Sequence, residues 1–206
     1  WAALLSLGAV VALLLCQRCA DKLLAGAVSE AIRGLEQQCP GVDIQVGTLR
    51  ADIFQGRFEM RNCVVRNPEG YRADRMMLVR RLSAEVAIGR LLRSMCGDLE
   101  IRDMRLQGVD AVFEKRGPGL GDSNLQSVLS KLEDVRAERE IGPRVAVGKV
   151  TVESIAVNTV LGSRASASDV QFGDLSKETG VRTAGQAARV VLRAIASNAL
   201  ACAPRA

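Results

Sequence analysis

The sequence predicts an α+β chain: an N-terminal transmembrane helix continuing into an amphipathic helix, then a curved, mostly antiparallel β-sheet with covering helices. Three observations predict it. Residues 1–16, WAALLSLGAVVALLLC, carry no charge. Residues 21–38 place apolar side chains at helical spacing, and from residue 42 the apolar period changes from 3.6 to 2. The divisions that follow are a membrane anchor over 1–20, an amphipathic helix over 21–41, and a β-domain over 42–206 with helices near 123–137 and 183–200.

The anchor is built from Trp1, Leu4, Leu5, Leu7, Val10, Val11, Leu13, Leu14 and Leu15. A run this short falls below the ~20 residues that cross a bilayer. Extending it to Ala20 places Arg18 near the headgroups, where its stem can snorkel, and Trp1 suits the opposite interface. The chain does not begin with Met, so it is read as processed or incomplete, and in the second case upstream residues would complete the span. A signal-peptide core has similar length but is normally removed, and a buried globular helix would show a polar face where this run shows only Ser6. The expected localisation is therefore a single-pass membrane protein, of an organelle (thylakoid or mitochondrial inner membrane) or a bacterial inner membrane.

In residues 21–38, Leu23, Leu24, Ala27, Val28, Ala31, Ile32 and Leu35 follow the i, i+3, i+4, i+7 rule, with Asp21, Glu30, Arg33, Glu36 and Gln37 on the other side. Pro40 and Gly41 end the pattern. This apolar stripe either caps a sheet or lies on a membrane surface.

Strands follow. Val42, Ile44 and Val46 alternate with polar residues, as do Leu49, Ala51 and Ile53. After a turn at Gln55-Gly56, Phe58, Met60, Asn62 and Val64 are read as one face of the returning strand. Asn67 to Tyr71 is a loop by its turn chemistry. Leu82, Ala84, Val86 and Ile88 form the next alternation, and Leu91-Leu92 begins a short turn or helix. Leu99 and Ile101 continue, and a phase slip near Asp103, which suggests a bulge, hands the face to Met104 and Leu106. A separate strand, residues 109–114, follows Gly108. Ser123 caps a helix carrying Leu125, Val128, Leu129 and Leu132. Val145 with Val147, Val150 with Val152, and Ile155 with Val157 read as strands. A polar strand covers residues 165–174, and Thr183-Ala184-Gly185-Gln186 is a capping box opening the last helix.

Composition limits the chemistry. The 206 residues include no histidine, which removes Ser-His-Asp and Cys-His mechanisms and His-ligated zinc. Aromatic residues are 3%, too few for base-stacking platforms, so nucleic acid is not an expected partner. The net charge of +5 is spread among acids, as on a solvated surface. Among six cysteines only Cys16 and Cys19 form a CxxC, at the edge of the apolar run, and they read as reduced, small apolar residues. Gly117-Pro118-Gly119-Leu120-Gly121 lacks the Lys-Ser/Thr of a phosphate loop. Carboxylate pairs such as Asp43 with Asp52, or Asp169 with Asp174, lack a convergent base or metal set, so no catalytic or metal residue is assigned.

Several landmarks occur in a fixed order. The anchor and amphipathic helix precede Val42-Asp43-Ile44 and the run Arg61-Asn62-Cys63-Val64-Val65-Arg66-Asn67-Pro68-Glu69-Gly70-Tyr71. Ile88-Gly89-Arg90-Leu91-Leu92 follows, then Leu99 to Val109 with Leu106-Gln107-Gly108, then Phe113-Glu114-Lys115 and Ser123-Asn124-Leu125. Asp169 to Leu175 and an Ala-rich helix close the set. This order resembles the N-terminal region of AsmA-like proteins over most of the chain. Val109 departs from it, standing where the pattern often has Pro. The long repeats with which large members build an extended groove are missing, so the chain corresponds to a single module.

The resemblance implies a non-enzymatic, membrane-anchored protein with a lipid-contact or scaffolding role. The candidate lipid-facing residues are Leu82, Ala84, Val86, Ile88, Leu99, Ile101, Met104 and Leu106. The same residues would equally form a closed core beneath the helices. Arg72, Arg75, Arg80, Arg81, Arg90 and Arg93 are candidates to hold headgroups, or a solvated face. Expected partners are membrane lipid and other membrane-protein subunits, and no cofactor is expected beyond bound lipid. The alternative is an accessory structural subunit of a large plastid or mitochondrial membrane complex, its small anchor residues packing against other helices.

Overall fold

The computed structural model describes residues 26, 33, 43–52, 55–94, 98–116, 123–134 and 144–203. The elements are β1 (Ile44–Asp52), β2 (Arg57–Arg66), β3 (Arg75–Val86), α1 (Ile88–Arg93), β4 (Asp98–Phe113), α2 (Asn124–Asp134), β5 (Arg144–Thr159), β6 (Arg164–Ala167), β7 (Val170–Phe172), α3 (Leu175–Thr179) and α4 (Ala184–Cys202). They build one seven-stranded sheet in the order β1-β2-β3-β4-β5-β6, with β7 beside β6 along β5.

Two expectations are corrected here. The described protein is mostly β, with 51% in strands, and its sheet is mixed. β4 and β5 run parallel from the pair Asp98↔Arg144 to Phe113↔Thr159, and the other neighbours are antiparallel. A parallel pair needs a long crossover, and the segment containing α2 supplies it. The second correction concerns the membrane. Among the described residues no helix is long and apolar enough to cross one. The longest, α4, has 19 residues and is interrupted by Arg189 and Arg193. The N-terminal transmembrane helix is not seen, and the single-pass localisation built on it, whether thylakoid, mitochondrial or bacterial, is not supported. Trp1 and the apolar residues through Leu15 lie outside the described residues. So does the segment 21–38, except Gly26 and Arg33, which are helical and exposed.

Local chemistry explains the element ends. Gly56 turns the β1–β2 hairpin with φ +64°, and a Cβ there would run into the Val86 carbonyl oxygen. At α4 both halves of the capping box are made: the Gln186 N–H donates to Thr183 Oγ1 at 3.3 Å, and the Thr183 N–H donates to Gln186 Oε1 at 3.3 Å. Asp174 caps α3 by accepting from the Lys177 N–H at 3.0 Å. The Lys177 side chain beside it holds its carboxyl below the usual range.

The strands also share a crease. On each of the first five, consecutive inward positions are three residues apart at one point: Val46 to Leu49, Met60 to Cys63, Val79 to Leu82, Leu106 to Val109, and Val152 to Ile155. These ten residues pair directly with one another across the sheet, Val46↔Cys63↔Val79↔Val109↔Ile155 on one side and Leu49↔Met60↔Leu82↔Leu106↔Val152 on the other. Ile155 and Val152 then pair with Ala167 and Val170, so the line passes through the break between β6 and β7. Asn62, Gly108 and Ser154 lie on it with φ of +55°, +66° and +58°. Stacking one extra residue in every strand keeps the register while bending the whole sheet. It also corrects the reading of β2. Beyond the crease the inward residues are Cys63 and Val65, and Asn62 faces out.

Two further strand readings change. Residues 109–114 are not separate, because β4 is continuous through Gly108, and β5 likewise joins three expected segments. The slip near Asp103 is a register shift: Glu85 faces Asp103 and Val86 faces Ile101, leaving Arg102 as the extra residue.

Candidate functional site

An apolar, partly open cavity of about 230 Å³ lies between the inward sheet face and α4. Its floor comes from β2, β3, β4 and the start of β5, and its roof from the first three turns of α4. Small side chains on the roof, Ala184, Ala187 and Ala188, keep α4 from filling the space, and Phe58, Met60, Met77 and Met104 face it from the sheet. Methionines make such a wall adaptable in shape. Every lining residue is apolar, so the wall offers burial rather than hydrogen bonds. The one titratable group on it is Cys63, whose thiol burial pushes up.

The structure places all the residues read as lipid-facing on this wall, except Ile88. Ile88 continues the alternation of β3 by spacing alone, but the strand ends at Val86 and Ile88 opens α1. The reading left β2 out of the lining: it had Phe58 and Met60 in phase on one face, but carried the wrong phase through Asn62 and so turned Cys63 and Val65 outward. It also missed α4, whose residues come together with β3 only through tertiary packing.

The arginines read as headgroup contacts do not gather at the cavity. Arg80 pairs with Asp110 at 2.8 Å, Arg81 with Glu59 at 3.2 Å, and Arg90 with Glu100 at 2.9 Å. These are exposed pairs, each worth little. Arg72, Arg75 and Arg93 are exposed. The carboxylate pairs also separate. Asp43 and Asp52 stand at opposite ends of β1, Asp169 accepts from the Ser154 N–H at 3.1 Å, and Asp174 caps α3.

A second constellation is buried at the far end of β4. Asn124, fully buried, accepts from the N–H of Glu114 (3.0 Å) and of Leu125 (2.9 Å) at Oδ1, and donates from Nδ2 to Val112 O (2.7 Å) and Asn67 Oδ1 (2.9 Å). The Asn67 amide in turn donates to Ala73 O at 2.8 Å. The Glu114 carboxylate accepts from the N–H of Arg72 at 2.7 Å and of Ala73 at 2.9 Å. Arg116 donates to Glu69 O at 2.5 Å and stacks over Tyr71 at 5.0 Å. Apart from the Asn124–Asn67 bond and the Arg116–Tyr71 stack, these side-chain contacts hold backbone, which makes this a clasp joining the loop after β2 to the start of α2.

No protein family, no curated protein and no solved structure matches this chain.

Proposed function

We propose that this chain is a lipid-contact protein of the AsmA-like kind, which shields hydrocarbon from water and catalyses nothing. The observation that carries the proposal is the cavity: a wall with no polar side chain favours a hydrocarbon ligand at about 0.8 kcal/mol per buried methylene and penalises any polar group that enters. The headgroup of a bound lipid then stays at the mouth. The clasp supports the family likeness, because three motif fragments far apart in sequence, Asn67-Pro68-Glu69-Gly70-Tyr71, Phe113-Glu114-Lys115 and Ser123-Asn124-Leu125, meet in one hydrogen-bond network.

The test is purification without detergent, followed by organic extraction and mass spectrometry. The proposal expects lipid at up to one molecule per chain. A chain that carries no lipid and refuses it from vesicles, yet migrates in fixed ratio with a larger complex, is a scaffold and not a lipid carrier.

A further inference from the structure

We infer that one end of the sheet is a docking surface for an anionic lipid bilayer: the tip of the β5–β6 hairpin enters the headgroup boundary and a basic rim meets the headgroups. Register brings the parts together. Arg66 pairs with Arg75, Met77 with Ala111 and Phe113 with Thr159, so β2, β3, β4 and β5 reach the same end side by side. The loop 67–74, residues 114–116 and the tip 160–163 all leave the sheet there. β3 and β5 are two strand spacings apart, about 10 Å, so loop and tip are neighbours.

The tip is apolar where a turn is normally polar. The Gly162 N–H donates to Thr159 O at 3.0 Å, which places Val160 and Leu161 at the two central turn positions. Asp, Asn, Ser, Pro and Gly suit such positions, because they supply the backbone geometry or bond to it. Here the turn is tied by its flanks instead: the Thr159 N–H donates to Ser163 O at 2.8 Å, and the Ser163 N–H to Thr159 Oγ1 at 3.0 Å. Val160 is 50% exposed and Leu161 92%, and among the described residues they are the large apolar side chains left open to water. Neither turn chemistry nor packing accounts for them. The rim around them is positive. Arg72, Arg75, Lys115, Arg116 and Arg164 are exposed at this end. Of the acids there, Asp43 pairs with Arg66 at 3.2 Å, and the Glu114 carboxylate is taken up by the Arg72 and Ala73 N–H groups, which leaves Glu69 and Asp74 exposed. Two apolar side chains are far less than the core of a stable protein interface. At a bilayer they add to a basic rim that needs no matching shape. The surface does not depend on what fills the cavity, although Ile44, Val65 and Met77 bring part of the cavity wall to the same end.

The test uses the full chain and vesicles of phosphatidylcholine and phosphatidylserine that carry a brominated acyl chain as quencher. Trp1→Phe removes the one native tryptophan. A single reporter is then placed by Leu161→Trp at the tip, or by Gln55→Trp at the opposite end of the sheet, where Gln55 is exposed. The tip reporter should be quenched and blue-shifted, and the Gln55 reporter should be neither. Quenching at both positions or at neither overturns the inference, whatever else in the chain meets the vesicle. Leu161→Asp should weaken tip contact about tenfold at an unchanged melting temperature, since that side chain is open to water. Arg72→Gln with Lys115→Gln should weaken it by a similar factor, as should vesicles of phosphatidylcholine alone. Contact that withstands all three changes overturns the inference. So does a chain that ignores vesicles but self-associates in a way that Leu161→Asp abolishes, which assigns the tip to a second copy. A docked chain that never yields extractable lipid keeps this surface and sinks the cavity proposal alone.

Discussion

The two halves of the sheet share a crease and an inward apolar face, but they are finished differently. Over β4 and β5, α2, α3 and α4 help close the face, and Val109, Val150, Val152, Val157, Leu125 and Val128 are fully buried. Over β2 and β3, Phe58, Met60 and Ala84 form a small cluster of their own, and a cavity separates them from α4. Alternation alone does not distinguish a core from a binding wall. On the facing helix, α4 presents Ala184, Ala187, Ala188, Val191, Leu192 and Ile195 to the cavity, and Ala196 and Ala199 are fully buried beside it.

Removing volume on the two halves should therefore have unequal effects. Leu125→Ala on the closed side should cost about 2–5 kcal/mol in denaturant unfolding, since the surrounding atoms cannot collapse into the hole. Met60→Ala, beside space that already exists, should fall at the bottom of that range or under it. Equal losses would erase the distinction between the halves. Asn124→Ala breaks the clasp and leaves the Glu114 N–H and Val112 carbonyl buried without their partner, at about 1–3 kcal/mol by thermal unfolding. Its effect should be confined to stability, with the cavity unchanged.

The crease belongs to both halves and should respond alike in each. Gly108→Ala forces a Cβ onto a residue with φ +66° and to 2.9 Å from the Arg80 side chain, at about 1–2 kcal/mol. Asn62→Gly at φ +55° relieves strain at the expense of chain entropy and should change stability by under about 1 kcal/mol, whereas Asn62→Val should be clearly harmful. The smallest effect concerns pH. Burial raises the Cys63 pKa above its unfolded value, so the neutral thiol's contribution is complete below the unfolded pKa and is lost as pH rises through the folded one. The alkaline fall in melting temperature should thus be shallower in Cys63→Ala than in the wild type.

Much of this was legible in the sequence, within limits set by physics. The strands of β1 to β3, the capping box at Thr183 and the helix after Ser123 are local patterns. Part of the cavity's floor was readable too, as the alternations from Leu82 to Val86 and from Leu99 to Leu106. The parallel pairing of β4 with β5 was not, because it depends on a crossover and not on either strand's composition. The breaks after Val46, at Gly108 and after Val152 were each visible singly, but their alignment into one crease is a matter of register between strands. At Asn62 the slip was hidden, because a polar residue replaced the expected apolar one without breaking the alternation of Phe58, Met60 and Val64. The role of α4 as a roof of small residues appears only when helix and sheet are brought together.

The central claim is that the space between α4 and the sheet is a site for a hydrocarbon chain. It is tested most directly by titrating a fluorescent polyene fatty acid into the wild-type chain and into Ala188→Phe, which fills the roof of the cavity without touching the floor. Saturable one-to-one binding by the wild type, lost in Ala188→Phe while the melting temperature holds, is the predicted result. Equal binding by both proteins, or none by the wild type, would contradict it.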